Sequence, residues 1–267
     1  MTPGASLLIT YKTHTLRNIR AIIKYFFAAM LKVIRTVGMT LSMYFVTHVF
    51  VFVVLPLAIM VSYVHKDKIP ALKQWFVKIL FFIVGKKLEV LGSGNVNPNR
   101  AYVIVSNYPS FYAGFALIGA FPRASVVAHA FMKNVPLLGQ VLARVGAIFV
   151  QPGRAGQGKK TIELHLSARE AVPSVIIFPE GKRTPDGQIH LFRRGFISFL
   201  RQTSHELLPV TLNGLYRLKP MKRFFIDPDA QPEMVIHAPL GRTTVSQMSD
   251  EELLAEALRI IASVYRP

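Results

Sequence analysis

One short stretch, residues 175–184, limits most strongly what this chain can fold into. It opens with the apolar run Val-Ile-Ile-Phe, which is typical of a strand buried in a parallel sheet. Pro179 cannot donate to a strand ladder and Gly181 permits a sharp reversal, so we expect the strand to end there. Three charged residues lie in this turn: Glu180, Lys182 and Arg183. The pattern fits an ordinary charged turn, but it also fits a ligand site, because open α/β sheets bind ligands beyond the carboxyl ends of their strands.

The chain from about Lys86 onward alternates short apolar runs with helical stretches and Pro/Gly turns. The candidate strands are Leu88–Leu91, Tyr102–Val105, Ser125–Ala128, Ala147–Val150, Val175–Phe178, Leu207–Leu212 and Met234–His237. The candidate helices between them are Tyr112–Ala120, Leu137–Val145, Lys159–Ala171 and Leu191–Gln202. A capping box of Ser249 and Glu252 predicts one more helix at the end. This alternation predicts a layered α/β domain with a largely parallel sheet flanked by helices.

The first third of the chain has a different composition from the rest. Hydrophobic residues make up 51% of the chain, and the net charge is +18, from 32 Lys and Arg against 14 Asp and Glu. Such a charge suits nucleic acid or an anionic membrane surface. The apolar residues concentrate in the first third, and no basic-aromatic recognition motif is apparent, so we expect a membrane phospholipid partner and no nucleic acid.

Two N-terminal segments carry this membrane prediction. Residues 17–35 place basic side chains on one helical side and apolar side chains on most of the remainder, which suits a helix on anionic lipid. Residues 36–65 carry no Asp, Glu, Lys or Arg and are long enough to cross a bilayer, which takes about 20 residues. A shorter apolar patch, Trp75–Val84, suggests an interfacial or re-entrant segment. We therefore predict a membrane-associated helical segment over residues 1–85 and an α/β domain over residues 86–267.

The charges flanking the long apolar segment bear on its topology. Six Lys and Arg residues precede it from Lys12 onward, and six follow it as far as Lys87. This tie gives no positive-inside preference for a single crossing. It favours, slightly, a hairpin that dips into one leaflet and leaves the α/β domain on the cytoplasmic face. A single crossing remains the alternative.

Four strand ends together form a recognisable set of motifs. They are Ser106–Phe115; Gly146–Gln151 with Pro152-Gly153-Arg154; residues 175–187 with Phe192-Arg193-Arg194-Gly195; and Leu208–Thr211 ending at Gly214. In this order and spacing, after a basic and apolar N-terminal segment, they resemble the glycerolipid acyltransferase family, best known for the lysophosphatidate acyltransferases. The resemblance covers roughly residues 86–240.

The resemblance implies acyl transfer from a thioester, on coenzyme A or an acyl carrier protein, to the hydroxyl of a lysophospholipid. It implies no cofactor, because the acyl donor is a substrate. The first family motif is Asn-His-x4-Asp, in which the His is the general base and the Asp orients it. Here the His position holds Tyr108 and the Asp position holds Ala113, whereas Asn107 and Ser110 still match. The loop is retained, but neither replacement can act as base or orienting carboxylate near pH 7.

The resemblance also implies a set of substrate-binding residues. Arg183 is the leading phosphate ligand, since a guanidinium grips phosphate with two parallel hydrogen bonds. Arg154 is a further candidate, although Gln151-Pro152-Gly153 replaces the usual acidic-then-Arg ending and shifts it. The full set is Asn107, Ser110, Glu180, Gly181, Lys182, Arg183 and Arg154. Of these, Lys182 departs from the small hydroxyl residue usual in the family.

Three hypotheses follow for function. The chain is an acyltransferase with low or altered activity, a catalytically inactive relative that still binds lipid or acyl donor, or a protein that uses its basic surface for nucleic acid. The third is the weakest, since it leaves the apolar third unexplained. Under the first, His129 at a predicted strand end is a candidate substitute base, because strand ends converge on the crevice. No metal site is predicted, because the His and Asp residues lack metal-ligand spacing.

Overall fold

The computed structural model describes residues 3–49, 52–53, 56–57, 60–61, 66–136, 138–144, 146–151 and 173–267. Seven strands form one sheet within these ranges: β1 Glu89–Leu91, β2 Tyr102–Ser106, β3 Ser125–His129, β4 Ile148–Val150, β5 Val175–Ile177, β6 Glu206–Asn213 and β7 Glu233–Ile236. Their order across the sheet is β1-β7-β6-β2-β5-β3-β4. The pairs from β6 to β4 are all parallel, as is β1 with β7, whereas β7 runs antiparallel to β6. The predicted, largely parallel sheet is therefore confirmed.

Eight α-helices are described around this sheet. They are α1 Pro3–Val49, α2 Ile69–Ile83, α3 Tyr112–Ala120, α4 Leu138–Arg144, α5 Gly195–Gln202, α6 Leu215–Leu218, α7 Arg242–Gln247 and α8 Asp250–Ala262. The capping box of Ser249 and Glu252 begins α8 as predicted. The predicted helix Lys159–Ala171 lies outside the described residues.

The central strands bury both faces of the sheet. In β2, Ile104 packs in the cluster that contains Leu117 of α3, while Val103 packs in the cluster that contains Phe196 of α5. The alternation follows from the pleat, which points successive side chains to opposite faces. Continuous apolar runs such as Val-Ile-Ile in β5 are required because helices cover both faces.

One predicted helix boundary is wrong. Helix α5 begins at Gly195 rather than at Leu191. The backbone N–H of Arg193 donates to the carbonyl of Pro179 over 2.9 Å, so the segment before Gly195 folds back onto the turn after β5. Phe192 is buried in the core on the α5 side of the sheet. This return contact competes with a helical turn and delays the helix start.

The N-terminal helix α1 is long and mostly exposed. Its segment Asn18–Val46 is long and apolar enough to cross a membrane by length and composition; its most apolar window has a mean hydropathy of 1.4, and only 11% of that window is buried. Met43 and Val46 pack in the core cluster that contains Leu80 and Phe81 of α2. The Trp75–Val84 patch forms most of α2, so one face of it belongs to this core, while Trp75 and Phe82 stay exposed.

Candidate active site

The candidate site lies where β2 and β5 end. The two strands are adjacent and parallel, with Val105 opposite Ile177, so the loops that follow them leave the same edge of the sheet side by side. Residues 107–111 form the loop after β2, and residues 178–194 form the loop after β5. Loops at the carboxyl edge of a parallel sheet are where α/β folds assemble their sites.

Glu180 joins the two loops through backbone contacts. Its carboxylate accepts the N–H of Tyr108 over 2.7 Å and the N–H of His190 over 3.1 Å. The N–H of Thr184 in turn donates to the carbonyl of Tyr108 over 3.0 Å. Glu180 is buried, and this burial raises the pKa of its carboxyl, opposed by the two hydrogen bonds. The carboxylate is therefore fully used in holding the loops together.

Gly181 allows the turn that brings these charges together. Its φ is +72°, in the left-handed region that favours glycine, and its N–H donates to the carbonyl of Phe178 over 3.0 Å. A Cβ there would lie 3.3 Å from Cζ of Arg193. Both the backbone angle and the neighbouring guanidinium therefore favour glycine at this position.

Tyr108 occupies the position of the family's general base and is packed as an apolar group. Its ring stacks on Phe178, with centroids 4.1 Å apart and planes at 16°. Burial raises the pKa of the phenol above its ordinary value, and the nearby Arg183 only partly offsets this. A phenol that stays neutral can donate a hydrogen bond, but it cannot accept a proton from a hydroxyl near pH 7.

Ala113 occupies the position of the family's orienting carboxylate and lies wholly inside the apolar core. It is in the first turn of α3, fully buried in the same cluster as Ala116 and Leu117. Ser110 supports this turn: its Oγ accepts the N–H of Tyr112 over 3.2 Å, and its carbonyl accepts that of Ala113 over 3.1 Å. The helix start is thus retained around a position that now contributes only packing.

Asn107 fixes the end of β2 to β6. Its side-chain amide donates to the carbonyl of Leu212 over 2.9 Å, and its side-chain oxygen accepts the N–H of Leu212 over 2.8 Å. These two bonds extend the β2–β6 ladder by one side chain. The geometry makes Asn107 a positioning residue for the loop rather than a group that faces solvent.

The basic side chains of the site are less engaged in contacts with other residues than the Glu180 carboxylate is. Arg183 is half-buried and Lys182 exposed, and neither forms an ion pair within the described part of the chain. Lys219, which sequence reasoning missed, lies just after α6. Burial, and then the positive charges of Arg183 and Arg223, lower the pKa of Lys219. A group of cations close enough to lower the pKa of one of its members is suited to binding an anion.

The approach of Lys219 to this loop follows from α6. The hydroxyl of Tyr216 donates to the carbonyl of Pro185 over 3.1 Å, and the Tyr216 ring lies over Gly187. Lys219 is three residues farther along the same turn. No sequence pattern links residue 219 to the loop after β5, so this residue could not be found from spacing.

A His–Asp pair occurs elsewhere at this edge. Nε2 of His190 lies 3.0 Å from Oδ1 of Asp186, which also accepts from the Thr184 hydroxyl over 2.7 Å. The backbone N–H of Gln188, which donates to the same oxygen over 3.0 Å, acts together with the Thr184 hydroxyl and His190 to hold the pKa of Asp186 at about 2. Both side chains of the pair are largely exposed. The spacing Asp-x3-His is the only sequence signal for this pair.

The structure also locates the remaining predicted residues. His129 ends β3, two strands from β2, where it is exposed and its Nδ1 accepts the N–H of Phe131 over 3.2 Å. Arg154 lies outside the described residues. Among the residues that are described, no group of three or more His, Asp or Glu side chains could hold a metal ion.

Comparison with known proteins identifies the relatives of this chain. A family model described as Acyltransferase matches residues 87–213. The chain is 30% identical over 142 residues to the 1-acyl-sn-glycerol-3-phosphate acyltransferase of Borreliella burgdorferi, a match that covers 51% of this chain and 55% of the relative. Both matches support the resemblance of this chain to the glycerolipid acyltransferases.

Other relatives support the same resemblance. A chloroplastic 1-acyl-sn-glycerol-3-phosphate acyltransferase of Brassica napus is 22% identical over 182 residues, covering 66% of this chain and 52% of the relative. The chain thus spans about half the length of these curated relatives. The crystal structure of PlsC from Thermotoga maritima superposes with a TM-score of 0.75 at 22% identity, covering 87% of this chain and 95% of that one. This similarity shows that the two proteins share a fold.

Proposed function

We propose that this chain is a membrane-bound, acyltransferase-like protein of phospholipid biosynthesis with low turnover. It binds a lysophospholipid such as lysophosphatidate in the crevice between the loops after β2 and β5. The acyl donor is acyl-CoA or an acyl carrier protein, and no cofactor takes part. The α/β domain sits on the cytoplasmic face of the membrane, held there by the N-terminal segment.

One observation supports this proposal most directly: the loop that carries Arg183 is locked to the loop that carries Tyr108. The contacts of Glu180 and Thr184 with Tyr108 fix the relative position of the two loops. Arg183 is close enough to act electrostatically on the Tyr108 phenol, and Lys219 is close enough to be affected by Arg183. The lipid phosphate would therefore be held beside the position at which the acceptor hydroxyl must react.

The chemistry expected in this crevice needs little covalent work from the protein. The acceptor hydroxyl oxygen attacks the thioester carbonyl carbon, a C–O bond forms, the C–S bond breaks, and the hydroxyl proton ends on the released thiol. A general base speeds proton removal by about 10²–10⁴-fold. Because Tyr108 is neutral and Ala113 cannot position a base, the protein's remaining contribution to the rate is to orient the two substrates.

The second candidate function is lipid or acyl-donor binding without turnover. The observation that favours it is the full burial of Ala113 among apolar side chains, together with the stacking of Tyr108 on Phe178. Both positions have become packing positions. Under this reading the cationic crevice binds the same lysophospholipid, and acyl transfer is absent rather than slow.

Thiol release from acyl-CoA in the presence of lysophosphatidate tests both candidates. The chain contains no cysteine, so a thiol reagent reports coenzyme A without protein background. We expect little turnover from the unmodified protein in detergent, and an increase of about 10²-fold or more from Tyr108→His with Ala113→Asp. Adding Arg183→Ala to that double variant should remove most of the gain.

The outcomes separate the readings. Slow turnover that depends on Arg183 supports an acyltransferase of low activity, whereas binding of lysophosphatidate with no turnover supports the binding protein. Fast turnover by the unmodified chain would show that a base lies elsewhere, and His129→Ala and His190→Ala would then locate it. Failure to bind lysophosphatidate in detergent micelles would refute both candidates.

A further inference from the structure

We propose that residues 219–225, the basic-aromatic loop, insert into the interface of an anionic membrane alongside α1. The loop connects α6 to the segment before β7 and reads Lys-Pro-Met-Lys-Arg-Phe-Phe. Membrane attachment of this chain was predicted from its N-terminal segment alone. The loop would be a second and separate membrane contact, made by the α/β domain itself.

The loop exposes an unusual amount of apolar surface. Met221 is 44% exposed, Phe224 58% and Phe225 47%, within five consecutive residues. Large apolar side chains on a soluble surface normally occur singly, and a cluster of them marks an interaction site. Lys222 and Arg223 lie between them and are also exposed, and the loop contains no acidic residue. Aromatic rings with interspersed cations fit the headgroup region of anionic lipid.

The exposed rings are held in place by the rest of the protein. Phe224 stacks on Tyr44 of α1, with centroids 4.7 Å apart and planes at 18°, and Phe225 packs edge-on against Phe224 at 5.3 Å. The N–H of Ile226 donates to Oγ1 of Thr40 over 3.1 Å. The loop is therefore fixed against one side of α1.

Charged contacts just beyond the loop strengthen this attachment. Nη2 of Arg35 donates to the carbonyl of Pro228 over 3.3 Å, and Nζ of Lys32 lies 2.6 Å from Oδ2 of Asp229. These contacts place the α/β domain and α1 in a fixed relation along residues 32–44. The acidic side chains next to the loop are paired with other residues, Asp229 with Lys32 of α1 and Asp227 with Arg217 of α6, so neither of them neutralises the cations of the loop.

The part of α1 that the loop contacts favours a membrane as the partner of the loop. The α1 segment that it contacts belongs to the candidate membrane span Asn18–Val46. Leu41 and Phe45 of α1, which follow Thr40 and Tyr44 in sequence, are exposed. The loop therefore packs beside a helix that itself exposes large apolar side chains, and a bilayer that receives this part of α1 would reach the loop. The chain's net charge of +18 complements an anionic surface.

This placement has a consequence for the crevice, which rests on the proposed function. Lys219 begins the loop and lies within electrostatic reach of Arg183. A loop seated among headgroups would hold these two cations at the membrane surface, where a lysophospholipid phosphate is found. The lipid could then pass from the bilayer to the crevice without crossing water.

Single-cysteine labelling of the full chain, reconstituted into vesicles, tests the proposal. Because the chain has no native cysteine, Phe225→Cys carries an environment-sensitive fluorophore at the loop alone. Ser246→Cys is the matched control, since Ser246 is exposed on α7, whose Val245 packs in the core on the opposite face of the sheet. On vesicles of phosphatidylcholine with phosphatidylglycerol, we expect lipid-borne nitroxide to quench the label at 225 at least about threefold more than at 246.

A second variant tests the cations without removing a ring contact. Lys222→Ala with Arg223→Ala should reduce quenching at 225 on anionic vesicles and leave it nearly unchanged on phosphatidylcholine alone. The chain stays on the vesicle through α1, so the label reports the loop and not bulk binding.

Two results would overturn the proposal. A label at 225 that stays as accessible to an aqueous quencher as the label at 246 would place the loop in water. An emission shift that appears without vesicles and grows with protein concentration would show that the loop binds a second copy of the chain. Neither result depends on acyl transfer, so a failed turnover assay would leave this inference standing.

Discussion

The loops after β2 and β5 leave the same edge of the sheet side by side, but they differ in which family residues they retain. The loop after β5 keeps its charged residues, and its Glu180 is buried and bonded to two backbone N–H groups. The loop after β2 keeps Asn107 and Ser110, each bonded to backbone, but has Tyr108 and Ala113 at the family's reactive positions. One loop has retained both framework and charge, whereas the other has retained only framework.

The difference shows which residues a fold needs for its own stability. Glu180 and Asn107 satisfy buried backbone groups, and losing them would leave those groups unpaired. A His and an Asp at 108 and 113 would serve chemistry, so apolar replacements can be absorbed by packing, as Tyr108 on Phe178 shows. Framework and chemistry are thus carried by different side chains within a single loop.

The largest effect is expected from restoring only half of the missing pair. Ala113→Asp places a carboxylate in a fully buried apolar site without a partner, which should lower the free energy of unfolding by about 3–5 kcal/mol. Adding Tyr108→His should recover at least about 1 kcal/mol of this loss, as coupling between the new side chains. Thermal unfolding of the four proteins of this cycle in detergent measures the coupling.

Ala116→Asp provides the control, because Ala116 is equally buried one turn farther along α3. Tyr108→His should not rescue it. Equal rescue at 113 and 116 would mean that the histidine stabilises the protein generally, and the β2 loop would then have lost its original geometry as well as its chemistry.

The next effect in size concerns the retained loop. Glu180→Gln replaces one carboxylate oxygen by an NH₂ group that cannot accept a hydrogen bond, so one backbone N–H, of Tyr108 or His190, loses its acceptor. We expect a loss of about 2–3 kcal/mol in the free energy of unfolding. Glu251→Gln, which removes an exposed ion pair with Arg194, should cost less than about 1 kcal/mol. Chemical denaturation of both variants makes the comparison, and similar losses would contradict the joining role of Glu180.

The pH dependence of Glu180→Gln has a defined sign. Burial raises the folded-state pKa of Glu180, so its carboxyl contributes most stability below the unfolded pKa of about 4.3 and less as pH rises through the folded value. The difference in free energy of unfolding between the unmodified protein and Glu180→Gln should therefore decrease from pH 4 to pH 7. A gap that widens over this range would show that the carboxyl has a lowered pKa.

Much of the fold could be predicted from sequence because its elements are locally marked. Helix α3 has the predicted ends, Tyr112 and Ala120, and the predicted strands overlap the observed ones along the sheet. Apolar runs bounded by Pro, Gly and charged residues suffice for this. The order of strands and the antiparallel pairing of β7 with β6 depend on contacts distant in sequence, and no local pattern encodes them.

The candidate site likewise has residues that the sequence predicted and contacts that only the structure shows. The motif spacing pointed to Glu180 and Arg183, but it did not show that the carboxylate of Glu180 binds a backbone N–H 72 residues away. Lys219 reaches the crevice only because Tyr216 packs on the loop after β5. Interactions with backbone atoms and approaches made through an intervening helix leave no mark on residue spacing, so these parts required the structure.

A smaller effect is expected for ligand binding by the retained loop. Arg183→Ala should weaken binding of lysophosphatidate about tenfold, the loss of one charge-assisted contact, and should change binding of a neutral monoacylglycerol much less. Lys182→Ala is the matched control, since Lys182 is the exposed neighbouring cation, and it should change either affinity by less than about twofold. Titration calorimetry with both lipids in detergent measures these affinities. Equal losses for the charged and neutral lipid would remove the phosphate assignment from Arg183.

The smallest effect is expected from Tyr108→Phe, which bears on whether the loop after β2 retains any chemistry. The substitution keeps the stack on Phe178 and removes only the phenol hydroxyl. We expect the free energy of unfolding to change by less than about 1 kcal/mol, whereas Tyr108→Ala, which also loses the stack, should cost about 3 kcal/mol or more. Residual acyl transfer, where measurable, should change little. If Tyr108→Phe instead abolishes residual acyl transfer, the phenol takes part in the reaction as a hydrogen-bond donor. The loop after β2 would then retain some chemistry and not framework alone.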